Sequence, residues 1–220
     1  MFTGIIQAVG TLARIEPRGG DYRLTINAAK LAMNNVNLGD SIAVNGICLT
    51  VIELMEQGFA ADVSRETIAL STLASLTSGS RLNLEKALTL STPLGGHLVS
   101  GHVDGIGSII ERSENARSIR FCIEAPSELA RYIAHKGSIT IDGTSLTVNS
   151  INGAQFELNI VPHTLSETIM DEYQVGRKVN LEVDLIARYL ERLLLGDKAA
   201  EPTRSSGVTE NFLAQHGFIR

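Results

Sequence analysis

The sequence predicts a mainly β protein: two similar six-stranded antiparallel (Greek-key) β-barrels in tandem, followed by a C-terminal α-helix. Three observations carry that prediction. The chain repeats itself at a spacing of 97 residues, so that Gly4 and Gly101, Gly46 and Gly143, Phe59 and Phe156, and Asn83 and Asn180 correspond without a gap. Gly, Asn and Asp break each repeat into short β-type runs. Behind the second repeat the apolar spacing changes from that of a strand to that of a helix.

In the best-matching stretch, Ser41–Val51 lies over Ser138–Val148 with six of eleven residues identical, where ordinary residue frequencies give about one. Self-similarity at a fixed period identifies the structural unit. Two copies are too few for a solenoid, and each is long enough to hold its own core. The units are expected at residues 1–97 and 98–184, with 185–220 as an appended helix and tail. Two like domains suit a task with two like ligands.

In chain order, strands are expected near Thr3–Ile15, Tyr22–Ile26, Ser41–Val44, Cys48–Leu54, Phe59–Val63 and Arg81–Glu85. The last alternates Leu82 and Leu84 with Asn83 and Glu85, sending leucines to one face and polar groups to the other. The second copy repeats it as Val179, Asn180, Leu181 and Glu182. Asn45-Gly46, and Asp142-Gly143 after it, join apolar runs with the strongest short hairpin signal. Six short strands in one repeat favour a closed barrel, because closure removes exposed edges. Ala28–Met33, Glu66–Leu73 and their counterparts are expected as single helical turns or short helices.

The linker is Thr89–His97, with Pro93 and Gly95-Gly96. Leu185, Ile186, Tyr189, Leu190, Leu193 and Leu194 then recur at helical spacing between Asp184 as N-cap and Gly196 just past the C-terminus. That stripe either packs on its own barrel or joins copies of the chain. Lys198–Gly207 is polar, and Thr209–His216 is a further expected short helix.

Composition excludes several classes. A net charge of −5 argues against a nucleic-acid partner, since phosphate binding rests on clustered Lys and Arg. Aromatics are 5% and Trp is absent, which leaves little for a base-stacking surface. The N-terminus has no basic region before an apolar run, and no apolar stretch reaches membrane-spanning length. Cys48 and Cys122 occupy non-equivalent positions with no CxxC pattern, which fits a reducing cytoplasm.

Four motifs carry a resemblance: Met1-Phe2-Thr3-Gly4-Ile5, Val44–Val51 (VNGICLTV), Gly96–Val103 (GHLVSGHV) and Ile141–Val148 (IDGTSLTV). Together, over residues 1 to about 195, the chain resembles riboflavin synthase of the two-barrel type. The resemblance implies a dismutation. Two molecules of 6,7-dimethyl-8-ribityllumazine exchange a four-carbon unit, giving riboflavin and 5-amino-6-ribitylaminouracil with no cofactor and no metal. It further implies a homotrimer held by C-terminal helices, with catalysis where the N-terminal barrel of one subunit faces the C-terminal barrel of its neighbour.

The resemblance also implies the contact segments. In the first copy these are Gly4, Ile5 and Ile6; Cys48, Leu49 and Thr50; and Asp62, Val63, Ser64, Arg65, Glu66 and Thr67. The offset of 97 carries them to Gly101, His102 and Val103; Ser145, Leu146 and Thr147; and Asn159, Ile160, Val161, Pro162, His163 and Thr164. Strand-end amides and carbonyls with Thr hydroxyls match a uracil-like edge, and the Asp62 and Asn159 side chains can bond ribityl hydroxyls. The alternative for the Gly and Thr positions is plain barrel-corner geometry.

Positions that differ between copies are where donor and acceptor can be told apart: Cys48 against Ser145, His102 against Ile5, Asn45 against Asp142, Lys136 against Gly39, and Glu66 against His163. The reaction needs a proton taken from a C7 methyl and a nucleophile added at C7 of the other ring. His102 is the first candidate for proton transfer. Cys48, with Ser41 beside it, is a candidate for assisting addition or shuttling a proton; otherwise it is a small apolar filler. Asp142 either orients a partner or polarises a hydroxyl, or simply serves the hairpin turn. Lys136 either reaches a ribityl hydroxyl across a subunit interface or is a solvated turn lysine. Phe2 caps a pocket or packs in a barrel. His97 and His102 are five residues apart, but no carboxylate or thiol set joins them, so no metal site is expected. The rival function is a non-catalytic ribityllumazine or flavin carrier on the same barrels.

Overall fold

The computed structural model describes residues 1–200, so the expected helix at 209–216 lies outside the described residues. The first repeat forms strands β1 (Ala8–Arg18), β2 (Asp21–Asn27), β3 (Ser41–Val44), β4 (Ile47–Thr50), β5 (Glu53–Met55), β6 (Gly58–Val63) and β7 (Arg81–Lys86). The second forms β8 (Gly105–Asn115), β9 (Ser118–Glu124), β10 (Ser138–Ile141), β11 (Thr144–Thr147), β12 (Ser150–Asn152), β13 (Gln155–Ile160) and β14 (Lys178–Val183). Each strand of the second set begins 97 residues after its counterpart. Short helices α1 (Arg65–Ala69) and α2 (Pro162–Glu167) occupy equivalent places, and α3 (Leu185–Leu194) follows the second sheet.

Both sheets are antiparallel, with order β4-β3-β7-β1-β2-β6-β5 and its copy β11-β10-β14-β8-β9-β13-β12. The strands at the two ends of that order, β4 and β5, are separated along the chain only by Val51 and Ile52. The expected strand Cys48–Leu54 is therefore one bent strand whose halves pair with opposite ends of the sheet. Val51, 1% exposed, turns into the core while its N–H donates to Asp40 O (2.8 Å). Ile52 N–H then reaches Ala60 O on β6 (3.0 Å). Counted this way each sheet is a closed six-stranded barrel. The return of β7 to lie beside β3 makes the Greek key.

The core residues echo the offset: Leu12 and Ile109, Phe59 and Phe156, and Leu84 and Leu181 are all at most 1% exposed, each in its own barrel's cluster. Each such side chain contributes about 1.5–3 kcal/mol on burial. A register shift between Leu12 and Arg14 recurs between Ile109 and Glu111, and the extra residue lets these long strands bend around the barrel.

Two local expectations change. The first strand begins at Ala8, not Thr3, because the left-handed turn at Gly4 (φ +76°) carries residues 1–6 away from their own sheet. Phe2 instead bridges Val99, with N–H to O distances of 2.7 and 3.1 Å. Ala28–Met33 forms turns rather than a helix: Asn27 Oδ1 accepts from Ala29 N–H (3.0 Å) and Ala29 sits at φ +48°, a local side-chain bond that competes with helical pairing. The polar face of β7 is itself covered, with Asn83 and Glu85 1% and 2% exposed.

That hidden polar face is the seam between the barrels. Asn83 Nδ2 donates to Asp142 O (2.9 Å) while its Oδ1 accepts from Ile169 N–H (2.9 Å). Asn180 repeats this toward the first barrel, with Nδ2 to Asn45 O (2.9 Å) and Oδ1 accepting from Thr72 N–H (2.8 Å). Buried amides satisfied on both ends fix register, and an unpaired one costs about 1–3 kcal/mol. Both hairpin turns have the φ > 0 pair of a type I′ turn, +46° and +79° at Asn45-Gly46, +42° and +81° at Asp142-Gly143.

In α3, Asp184 Oδ1 accepts from Ile186 N–H (3.0 Å), as expected of an N-cap, and Gly196 has φ +52°. None of its residues is buried; Ile186, Tyr189, Leu190 and Leu193 are 53–76% exposed. No described helix is long and apolar enough to cross a membrane.

Candidate functional site

Each barrel's β-hairpin receives a chain segment from the other barrel. Cys48, at the start of β4, donates its N–H to Gly101 O (2.8 Å). Ser145, its counterpart on β11, donates to Gly4 O (2.8 Å). Both acceptors must be glycine: each has φ near +80°, and a Cβ on Gly101 would lie 2.7 Å from Cys48 Cβ, one on Gly4 2.5 Å from Ser145 Cβ. The grouping expected from the simple offset is therefore exchanged. Gly101–Val103 lies with Cys48, and Gly4–Ile6 is carried toward Ser145.

The first site is an open cleft of about 230 Å³ lined by Ile47, Cys48, Glu66, Thr67, Leu70, Ser71 and Gly101–Val103. Its helical wall starts at Ser64, whose Oγ accepts from Thr67 N–H (3.1 Å) and caps α1. Asp62 is held bidentately by Arg23, at 2.7 and 3.0 Å, which keeps its carboxyl below the ordinary range. Arg65 donates its N–H to Asp21 (3.1 Å), and its side chain is exposed. Leu49 and Val63 point into the barrel core, 4% and 2% exposed, leaving their backbone as the only part a ligand can use. Thr50 is exposed.

The second site is built on His97, Ser145 and Thr140. His97 Nδ1 and Ser145 Oγ hydrogen-bond at 2.7 Å, and Nε2 and Thr140 Oγ1 at 3.3 Å. A neutral imidazole has one donor and one acceptor, so one hydroxyl donates to the ring and the other accepts. Burial pushes the His97 pKa down, and Asp184 opposes that shift. Thr3 O accepts from His97 N–H (3.1 Å), tying this histidine to the segment that carries Gly4. Asn159, Val161, Pro162 and His163 are exposed around the start of α2, Thr164 and Leu146 are half-buried, Thr147 is exposed, and Ile160 is core. Lys136 is exposed at φ +62° where the first copy has Gly39 at +91°.

Other candidates move. Ser41 is not beside Cys48: on β3 it stands opposite Thr50, whereas Cys48 stands opposite Ala43. It lines a separate cleft of about 340 Å³ with Asp40, Asn35 and Lys86. Asp142 is 2% exposed, and both oxygens are engaged, Oδ1 by Asn180 N–H (2.8 Å) and Oδ2 by Tyr173 O–H (2.5 Å). Burial pushes its pKa up to about 6, against the hydrogen bonds from Tyr173 and Asn180. It belongs to the seam, not beside His102 or Cys48. Phe2 is wholly buried with Ala43 and Val99, packing beneath Gly101 rather than capping a cleft.

His97, weighed from the sequence only as a metal ligand, is the residue of this second cluster that sequence reasoning missed. His97 precedes the repeat and so has no counterpart to compare. Its one sequence signal is the Gly96-His97 start of the third motif. His97 and His102 serve different sites, and among the described residues no three His, Cys, Asp or Glu side chains gather as metal ligands.

The lumazine-binding domain model matches the chain twice, at residues 3–87 and 100–184. The riboflavin synthase of Photobacterium phosphoreum is 46% identical over 219 residues, covering all of both chains. That of Bacillus subtilis (strain 168) is 42% identical over 218 residues, 99% of this chain and all of the other. The crystal structure of LumP complexed with riboflavin superposes with a TM-score of 0.76 at 27% identity, over 83% of this chain and 99% of that one. Full-length identity at this level, with both domain matches falling on the two barrels, shows that the chain belongs to the riboflavin synthase family and is an enzyme of that family.

Proposed function

We propose that the protein dismutates two molecules of 6,7-dimethyl-8-ribityllumazine to riboflavin and 5-amino-6-ribitylaminouracil, each barrel taking one. The observation that carries this reading is the pair of like sites, each made from one barrel's hairpin and the other barrel's leading segment. Two similar sites suit two identical substrates, and holding them in near-attack geometry is worth up to about 7–11 kcal/mol of barrier.

The first site comprises Cys48–Thr50, Asp62–Thr67 and Gly101–Val103; the second, Gly4–Ile6, Lys136, Ser145–Thr147 and Asn159–Thr164. His102 transfers the proton, with Cys48 beside it in the cleft. In the other barrel, His97 draws on the Ser145 hydroxyl. Residues 1–97 and 98–184 act as the two substrate-binding units, and the segment from 185 on holds a homotrimer in the cytoplasm. Two features support assembly: the apolar stripe of α3, and a first cleft of about 230 Å³, below the roughly 300–1,000 Å³ of complete small-molecule sites. A neighbour's second barrel would supply the missing wall.

The test is anaerobic incubation with the lumazine and a chelator, following both products by chromatography. Equal riboflavin and aminouracil, with twice as much lumazine consumed, is the expected result. The similarity to LumP favours one rival, a carrier; tight lumazine binding without either product would establish that instead.

A further inference from the structure

Two buried carboxylates play no part in the mechanism above. Glu182, on β14, is 4% exposed, and among the described residues no cation pairs with it. Its Oε1 accepts from Ser100 N–H (2.6 Å) and Ser100 Oγ–H (2.7 Å), and its Oε2 from Gly101 N–H (3.0 Å) and His102 N–H (3.1 Å). Four donors fill the roughly four lone-pair sites of one carboxylate. Glu85, 97 residues earlier on β7, is 2% exposed and does the same for Thr3 N–H (2.7 Å), Thr3 Oγ1–H (2.6 Å) and Gly4 N–H (2.9 Å).

The geometry points to Glu85 and Glu182 as positioning residues: each holds, from its own barrel, the segment that this barrel lends to the other barrel's site. The left-handed glycine in each segment turns successive N–H groups to one side, an arrangement that cradles an anion. Here the anion is the protein's own carboxylate. Glu182 grips residues 100–102 from behind while Gly101 O is bonded to Cys48 N–H in front. His102 is thereby fixed at its backbone although its side chain is exposed. Burial pushes both carboxyl pKa values up, while the segment's own N–H and O–H groups pull them back. With no cation paired to either among the described residues, the segment is what keeps each charge tolerable, so charge and segment hold each other.

The inference rests on the proposed synthase reading for its kinetic arm only. Glu182→Gln keeps the size but turns an –NH₂ toward N–H donors. Ser100→Ala is the milder variant, deleting one of the four bonds, and serves where the first does not fold. For each full-length variant, amide hydrogen exchange is measured at residues 100–102 and at 3–5, together with kcat and KM for the lumazine. Glu182→Gln is expected to speed exchange at 100–102 at least tenfold, leave 3–5 within twofold, and lower kcat at least tenfold with KM within threefold. Ser100→Ala moves the same quantities in the same direction, by about two- to fivefold. Unchanged exchange at 100–102, equal acceleration in both segments, or faster exchange with unaltered kcat would each overturn the assignment. Failure of the parent to form riboflavin would defeat the synthase reading, and the exchange pattern alone would then decide the role of the carboxylates.

Discussion

Gly46 and Gly143 meet across the seam so closely that a Cβ on either would lie 2.7 Å from the amide nitrogen of the other. The pseudo-twofold relation between the barrels passes between these two turns. Neither glycine is spare: each has positive φ and each faces backbone, which cannot move aside as a side-chain tip can. Gly46→Ala or Gly143→Ala is expected to lower stability by about 2–4 kcal/mol, the sum of left-handed strain and a forced separation. Gly79→Ala is the control: its φ is +90° but nothing lies within 4 Å of the added Cβ, so about 1 kcal/mol is expected. Urea unfolding of the three variants checks the difference.

Asp142 gives a pH dependence whose sign follows from its environment. Burial raises its carboxyl from 3.8 to about 6, so between those values the native state holds the proton more tightly than the unfolded chain. Its contribution to stability is full below pH 3.8 and is lost as pH rises through about 6. The first copy carries Asn45 here, whose Oδ1 accepts from Asn83 N–H (2.8 Å) just as Asp142 accepts from Asn180 N–H. Asp142→Asn should therefore fold. The difference in melting temperature, variant minus parent, should rise between pH 4 and 7. A flat difference would show that the carboxylate carries no buried-charge cost.

His102 faces the cleft that holds Cys48 and Thr67. Replacing it tests the proton-transfer role directly. General acid–base groups contribute about 10²–10⁴-fold, and the lumazine ring delocalises the carbanion itself, so His102→Gln is expected at the low end, about 10² in kcat. Lumazine affinity, followed by ligand fluorescence, should change little. Unaltered turnover would remove His102 from the mechanism.

Removing the chain from Leu185 onward deletes the whole apolar stripe of α3. On the proposed assembly, sedimentation should then report monomers in place of trimers, with ligand still bound in the first barrel and turnover lost for want of a facing barrel. A trimer persisting after the deletion would assign assembly to another surface.

How much of this was legible in the chain varies residue by residue. Asn45-Gly46 and Asp142-Gly143 announced their hairpins because a type I′ turn needs two residues that tolerate positive φ. The bend at Val51 was hidden, since an apolar run reads the same whether it continues one pairing or changes partners. The seam at Asn83 and Glu85 was hidden because alternation separates two faces without saying what covers either. Ser41 was expected beside Cys48, but antiparallel register sets it opposite Thr50.

The sequence by itself determined the repeated barrels, their turns, the appended helix and the family, because periodicity, turn chemistry and a constant offset are all written in chain order. Only the tertiary structure decided which segment serves which site. Residues 1–6 and 98–103 have no regular period. Their partners, Ser145 and Cys48, lie in the opposite repeat. Two buried carboxylates grip these segments from their own barrels, and the bonds from Ser145 to Gly4 and from Cys48 to Gly101 form only once both barrels have folded against each other.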